Sequence, residues 1–440
     1  MRIHKIMLSL SVGMCVVSGA MAKEWSLDDC ISYAINNNID VRRQQLQIAD
    51  GEQSVIEAKD RFLPSASASA SQNFNFGRGL TSQNTYADRN TSNFGWSAGL
   101  NLPLFQGMAE YRNLKMAKLS LNQYLYEHEA AKDNVTLNVI SQYLQVLYAK
   151  EVAESAKSQM NFSEFEVQRT KEMIKVGKVA EATLYDLEAT LAQDSLQVIT
   201  AENDIQIALI NLANLIQLKD IADFDVQPLD EYNPILPSAE QVIDAALAGN
   251  STILGAKEAI KVADARILYA KSGYIPTLNF NAGLGSSYYK ISGMSNDNFG
   301  EQMKHNFATY LGFSLNIPIF DGFNTRNSVR RAQLQKTSAK LNLEDCEDNL
   351  YKDIRLAYYQ ASGARDKLMT SEETLKKTKL SFDATVERFN LGKATQADYE
   401  QARNNLFRTD ITRIQARYEY LLRRRILLFY QTPGLYRTTK

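Results

Sequence analysis

Residues Ser65 to Gly77 read SASASASQNFNFG, in a chain whose surroundings carry helical patterns. Ala66, Ala68, Ala70, Phe74 and Phe76 alternate with Ser65, Ser67, Ser69, Ser71, Asn73 and Asn75, and only Gln72 interrupts the apolar set. A period of two places successive side chains on opposite faces of a strand. The stretch therefore predicts one strand with a small apolar face and an uncharged polar one.

The pattern recurs three times. Phe94, Trp96, Ala98, Leu100 and Leu102 alternate with Gly95, Ser97, Gly99 and Asn101. Leu278, Phe280, Ala282 and Leu284 alternate with Thr277, Asn279, Asn281 and Gly283, and Leu311, Phe313, Leu315 and Ile317 with Tyr310, Gly312, Ser314 and Asn316. Runs of about 10 residues are long enough to cross a bilayer core as tilted strands. Phe74, Phe76, Phe94, Trp96, Tyr288 and Tyr310 cluster near the loop ends and predict part of an interfacial aromatic girdle. The polar loops Gly77 to Asn93 and Lys290 to Asn306 face the outside medium in this reading.

Bulk properties are compatible with an exported membrane protein. Arg2 and Lys5, the apolar run Ile6 to Val17 and Ala20-Met21-Ala22 form a secretory signal over residues 1–22. Its removal leaves 47 basic residues (49 − 2) against 50 acidic ones, a net charge of −3 that offers nothing to nucleic acid. Met14 before Cys15 argues against a lipidated anchor, since that position is normally small. Cys30 and Cys346 then remain, too few for a disulfide framework. No later run has about 18 uninterrupted apolar residues, so a helical span is not expected.

The chain is also written twice. At a shift of 212, Ser26, Ile31, Ala34, Asn38, Ile48, Ala58, Lys59 and Pro64 meet Ser238, Ile243, Ala246, Asn250, Ile260, Ala270, Lys271 and Pro276. At a shift of 215, LNLPLFQG (Leu100 to Gly107) overlays LNIPIFDG (Leu315 to Gly322), and Val176-Gly177-Lys178 overlays Leu391-Gly392-Lys393. The first repeat covers 23–219, with strands about 65–76 and 94–105, a long helix about 107–175 and a tip at 176–180. A connector at 220–237 lies at mid-height. The second repeat covers 238–440, with strands about 277–289 and 308–320, a long helix about 322–390 and a tip at 391–395.

Each repeat opens with a helix of about 38 residues that stops at Pro64 or Pro276. The 70-residue helical patterns, 107 to 177 and 322 to 392, span roughly 105 Å. Two stacked half-length helices match one long one. Heptad positions Val139, Val146, Ala153, Met160, Val167 and Ile174 correspond to Ile354, Ala361, Leu368, Leu375, Phe382 and Phe389. Four residues before each, mostly small side chains recur, from Val135 to Thr170 and from Leu350 to Thr385. Such a seven-residue period predicts knobs-into-holes packing with a left-handed supercoil.

Four strands cannot close a barrel, and in hydrocarbon an open edge costs several kcal/mol per unpaired group. The strands must be pooled among copies. Two copies give 8 strands with a nearly filled interior, and three give 12 with room for a water-filled bore. The Ser/Asn face suits that bore, so a trimer is expected. The fold class is mostly α with a small transmembrane β part.

With the repeats, PLFQG/PIFDG and VGK/LGK in place, the chain resembles the TolC-like outer-membrane efflux channel family over roughly residues 26 to 430. The resemblance implies a homotrimer with a shared 12-stranded outer-membrane barrel, in contact with its lipid, and an α-helical periplasmic tunnel. It implies a passive exit duct of a tripartite pump or type I secretion system. Partners would be a periplasmic adaptor and an inner-membrane transporter of RND or ABC type. The strand-to-helix corners are Pro103, Phe105 and Gly107, and Pro318, Phe320 and Gly322. The tips that would meet the adaptor are Val176, Gly177 and Lys178 with Leu391, Gly392 and Lys393; glycine also serves there simply to reverse the chain.

Where family gates carry paired acidic rings, carboxylates follow the second tip glycine by six and nine residues. Here Asp398 occupies the first position and Gln401 the second, with Glu400 adjacent; in the first repeat Thr183 and Asp186 stand there. A threefold ring of Asp398 would attract cations. Thr395-Gln-Ala-Asp398 equally fits a helix-capping box. No HExxH, G-x-S-x-G, Walker loop or paired-cysteine motif occurs, so no enzyme, metal or cofactor is expected. The competing function is a coiled-coil spacer anchored in the outer membrane.

Overall fold

The computed structural model describes residues 24–80, 84–229, 235–432 and 434; the signal segment and Cys15 lie outside them. Helix α1 (Leu27–Asn37) and helix α2 (Ile39–Asp60) follow a short strand β1 (Glu24–Trp25). One 38-residue helix was expected here, but the chain breaks at Asn38. Its backbone is extended (φ −61°, ψ 135°) and its side chain accepts a hydrogen bond from the Asp40 amide at 2.9 Å, starting a new helix. The second repeat breaks identically at Asn250, between α5 (Ala239–Gly249) and α6 (Ser251–Ala270).

Strand β2 (Ser65–Asn75) leads through a small hairpin, β3 (Arg78–Leu80) and β4 (Tyr86–Asp88), to β5 (Thr91–Gln106). Helix α3 (Ala109–Lys175) descends, α4 (Glu181–Ile216) returns, and β6 (Asp225–Val226) pairs in parallel with β1. The second repeat contributes β7 (Thr277–Ile291), a short α7 (Phe299–His305), β8 (Ala308–Asn316), α8 (Asn324–Asn390) and α9 (Gln396–Gln431). Strand β8 stops at Asn316 rather than near 320, which leaves Pro318 and Phe320 outside the ladder.

The four long strands form one antiparallel sheet in the order β2-β5-β7-β8. Register aligns the alternation across all four. Ala66, Leu100, Ala282 and Leu311 share one rung of one face, while Ser67, Gly99, Gly283 and Tyr310 share a rung of the other. Tyr310 is thus corrected from the expected girdle to the polar face. Its ring covers Gly283, where a Cβ would come within 2.6 Å of it. On the apolar face Phe94 and Tyr288 are capped by Phe299 of α7, at ring distances of 5.6 and 5.1 Å. The outer loop therefore folds back on the aromatic cluster instead of leaving it bare.

The helices form a wall one layer thick. Helices α2 and α6 flank the upper part of α3, α4 and α9 flank its lower part, and α8 packs on α6 and α9. The rows run α2–α3–α6–α8 above and α4–α3–α9–α8 below. Every heptad position in α3 and α8 is buried or half-buried within the single chain. The largest core sits at mid-height, where Tyr143, 1% exposed, places its hydroxyl 2.7 Å from the Gln227 carbonyl and 3.1 Å from that of Trp25. That contact ties the chain's start to the connector. Cys30 is buried in the same core, and burial pushes its thiol up to about 12, so it is an inert filler.

Candidate functional site

The corners between sheet and helix are tight. Gly107 and Met108 are both left-handed (φ 58° and 65°), as are Gly322 and Phe323 (φ 63° each). A Cβ on Gly107 would lie 3.0 Å from Ile275 Cβ and from the Ser272 carbonyl, so only glycine fits; around Gly322 the space is open. The β5–β7 register shifts between Pro103 and Phe105, where proline withdraws an amide donor from the ladder.

At the far end the two tips have the same geometry. Gly177 and Gly392 are left-handed (φ 74° and 68°). The Lys178 amide donates to Met173 O at 3.0 Å and the Lys393 amide to Arg388 O at 2.8 Å, each closing a helix end with an αL glycine. Val176 and Leu391 stand 67% and 69% exposed beside them. The caps of the returning helices differ. Thr395 and Asp398 form a full capping box at α9, with Thr395 Oγ1 donating to Asp398 at 2.7 Å and the Asp398 amide donating back at 3.1 Å. Helix α4 starts from Ala180 with no side-chain cap.

The residues considered for a gate do not assemble within one chain. Asp398 and Gln401 line a polar groove between α8 and α9, with Arg388, Lys393, Lys377 and Arg408. The Thr395 amide and hydroxyl, then Arg388, hold the Asp398 carboxyl below its ordinary value. Thr183 and Asp186 lie on α4, at the other end of the helical row. Glu400 belongs to neither group. It turns into the wall and contacts Arg403 at 2.9 Å.

That contact opens onto a buried charged network which the sequence patterns did not indicate. The Arg403 side chain is 3% exposed, donates to Ser163 Oγ at 2.5 Å and lies 3.7 Å from Asp194. Ser163 in turn donates to Asp194. Asp194 and Glu400 are the two carboxylates at this guanidinium, and Glu166, 4% exposed, pairs instead with Arg169 at 3.6 Å. Burial raises the Glu400 carboxyl above its ordinary value, with Arg403 opposing. Tyr399 sits alongside, stacked on Phe389 at 4.9 Å and on Phe162 at 6.2 Å. Helices α3, α4, α8 and α9 are thereby joined just above the tips. The available signal was weak: Ser163 stands among the small heptad residues, but nothing in sequence paired it with Arg403.

Exposed apolar side chains concentrate on the elements ending the helical rows. Helix α4 shows Leu196, Ile199, Ile207 and Ile210 at 48–64% exposure, and α8 shows Leu334, Leu341 and Leu380 at 59–70%. The sheet ends correspondingly, with β2 and β8 each pairing on one side only. No helix among the described residues is long and apolar enough to cross a membrane. A two-faced four-stranded sheet on a tall helical wall defines an outer-membrane channel subunit.

The family comparison agrees, repeat by repeat. The family model for outer membrane efflux proteins matches twice, over residues 30–216 and 242–429. The chain belongs to that family, and it is an outer-membrane exit duct of the kind that serves efflux or secretion systems. It is 22% identical to outer membrane efflux protein BepC of Brucella suis, covering 92% of this chain and 85% of that one. It is 23% identical to outer membrane protein TolC of Vibrio cholerae, covering 94% and 92%. The crystal structure of the Campylobacter jejuni CmeC outer membrane channel superposes with a TM-score of 0.74 at 19% identity, covering 93% of this chain and 85% of that one. The family is one of channels rather than enzymes.

Proposed function

We propose that three copies of this chain close, edge to edge, into one duct that is gated at its lower end. The observation carrying this reading is that sheet and helical wall end on the same two sides. Strand β2 with α2 and α4 forms one margin, and β8 with α8 forms the other. Such margins meet head to tail, and a rotation that closes makes a ring. Three copies bring 12 strands (3 × 4), removing every edge and leaving an aqueous bore lined by the Ser/Asn/Gly face. The apolar stripes of α4 and, from Leu334 downward, of α8 would be covered by the same operation.

The exposed tips, Val176-Gly177-Lys178 and Leu391-Gly392-Lys393, offer a periplasmic adaptor two similar but unequal handles per chain. An inner-membrane transporter of RND or ABC type would supply the work. Opening would be a relative movement of the α3/α4 and α8/α9 hairpins, opposed by the Arg403 network. Asp398 caps α9 and presents the outer side of its carboxylate to the groove. Single-channel recording in planar bilayers, combined with the mass of the detergent-extracted assembly, tests the reading. A trimer passing ions when its hairpins separate is expected. A stable folded monomer, or a trimer that conducts in no state, overturns it.

A further inference from the structure

Immediately below the sheet, the chain carries an apolar rim and then a set of unpaired cations. Ile319, Phe320 and Phe323 are 94%, 74% and 54% exposed, and Tyr111 and Tyr274 are 59% and 55% exposed. Along α3, Tyr111, Lys115 and Lys118 follow at i, i+4 and i+7, one stripe of a helix. On α8, Phe323, Arg326 and Arg330 form a second such stripe, with the Arg326 guanidinium 5.5 Å from the Phe323 ring centre. Lys271 lies beside Tyr274 at the end of α6.

These cations face away from the bore. On the other side of the junction, Glu110, Arg266 and Arg331 line a pocket together with Gln106, Thr277 and Asn316, which continue the polar sheet face. Lys118 stands two helical turns from Tyr111 on the same side of α3, about 80° around the helix from Glu110. Carboxylates nearby are engaged elsewhere: Asp321 accepts from Thr325, and Asp264 pairs with Lys336 at 2.7 Å. Among the described residues, none of Lys115, Lys118, Lys271, Arg326 and Arg330 has a carboxylate within ion-pair reach.

The spacing matches a membrane surface. Four and seven residues of helix lower a side chain by roughly 6 and 10 Å. A headgroup layer is about 5–8 Å deep, and long cationic side chains reach back toward it. From this juxtaposition of an exposed aromatic rim and outward, unpaired cations, we infer that the collar binds the phosphate headgroups of anionic glycerophospholipids in the periplasmic leaflet. Bound lipid fixes the height of the duct in the membrane and leaves the helical wall free below it.

The test is lipid selectivity of the full-length protein in phosphatidylcholine bilayers, read by electron spin resonance of spin-labelled phosphatidylglycerol against spin-labelled phosphatidylcholine. The wild type is expected to hold phosphatidylglycerol preferentially. The variant Lys118→Gln/Arg326→Gln/Arg330→Gln should bring the ratio close to one, a fall of up to about five-fold, the worth of a single surface cation. Lys376→Gln/Lys379→Gln, far down α8, should leave it unchanged, and Arg326→Lys/Arg330→Lys should preserve it even if the glutamine variant does not assemble. No preference in the wild type, or one that the collar variant retains, overturns the inference. Loss of the preference in inorganic phosphate but not in chloride of equal ionic strength assigns the collar to free phosphate and overturns the lipid reading.

Discussion

Replacing Arg403 with methionine should loosen the join between the two hairpins of each chain. The side chain is 3% exposed and contacts Glu400 at 2.9 Å, Ser163 at 2.5 Å and Asp194 at 3.7 Å. Removing one partner of a buried ion pair costs about 3–5 kcal/mol, because the remaining charges stay buried without compensation. Here Arg403 Nε already lacks a hydrogen-bond partner, so the network is incompletely satisfied and the lower figure applies. A loss of about 3 kcal/mol is about a hundred-fold loss of amide protection in a segment that opens locally. Hydrogen exchange by mass spectrometry over 160–170 and 398–408 reads it. The pH dependence has a definite sign. Burial raises the Glu400 carboxyl above its ordinary 4.5, so its stabilising contribution is full below that value and is lost as pH rises through the raised one. Without Arg403 that loss should extend to higher pH, and adding Glu400→Gln should recover part of the protection. Protection unchanged within five-fold in Arg403→Met, or made worse by Glu400→Gln, would refute the assignment.

Three further outcomes follow from local geometry. Gly107→Ala and Gly322→Ala both force a side chain into left-handed backbone, a strain of about 1–2 kcal/mol, but only the first also meets Ile275 and Ser272. Thermal unfolding should therefore separate them, with Gly107→Ala the lower. Leu311→Lys, on the apolar face, should cost about 2–4 kcal/mol of assembly in bilayers, whereas Ser314→Lys, on the polar face, should be tolerated and alter conductance; equal effects would reverse the face assignment. The Asp398 carboxyl is held below its ordinary 3.8 by Thr395, so the cap is intact above that value and weakens as pH falls through the lowered one. Asp398→Asn should abolish this acid-side change in exchange at 396–400 without altering behaviour near neutrality.

The sheet was legible because period-two alternation needs no tertiary knowledge, and register brought four separate runs into two coherent faces. The heptads were legible for the same reason. What escaped was information carried by single polar residues. Asn38 and Asn250 stood among the repeat identities, yet within a helical apolar pattern they did not show as breaks; each interrupts its helix because its side chain satisfies the amides of the next one. Tyr310 carries the alternation faithfully but belongs to the polar set, where it covers a glycine. Glu400 looked like a neighbour of Asp398. Two residues along a helix is about 200° around it, so one faces the groove and the other enters the wall. The Arg403 network joins residues up to 240 positions apart, beyond any local pattern.

Duplication also explains why the two hairpins need not behave alike. Both repeats keep the glycine corner, the glycine tip and the asparagine break, because each is a backbone requirement that the fold imposes twice. Side-chain chemistry at the ends has diverged. Helix α9 begins with the reciprocal Thr395–Asp398 cap, while α4 begins at Ala180 with none. A side-chain cap is worth roughly 1 kcal/mol, so the first turn of α4 opens about five times more readily than that of α9. In a ring of three chains the lower rim would then alternate firm and yielding tips. Threefold symmetry would be kept while only one set of hairpins moved. A rim of six identical tips would have no such preferred mode, whereas the proposed one would widen by displacing one hairpin in each chain against the Arg403 contacts that hold it to the other.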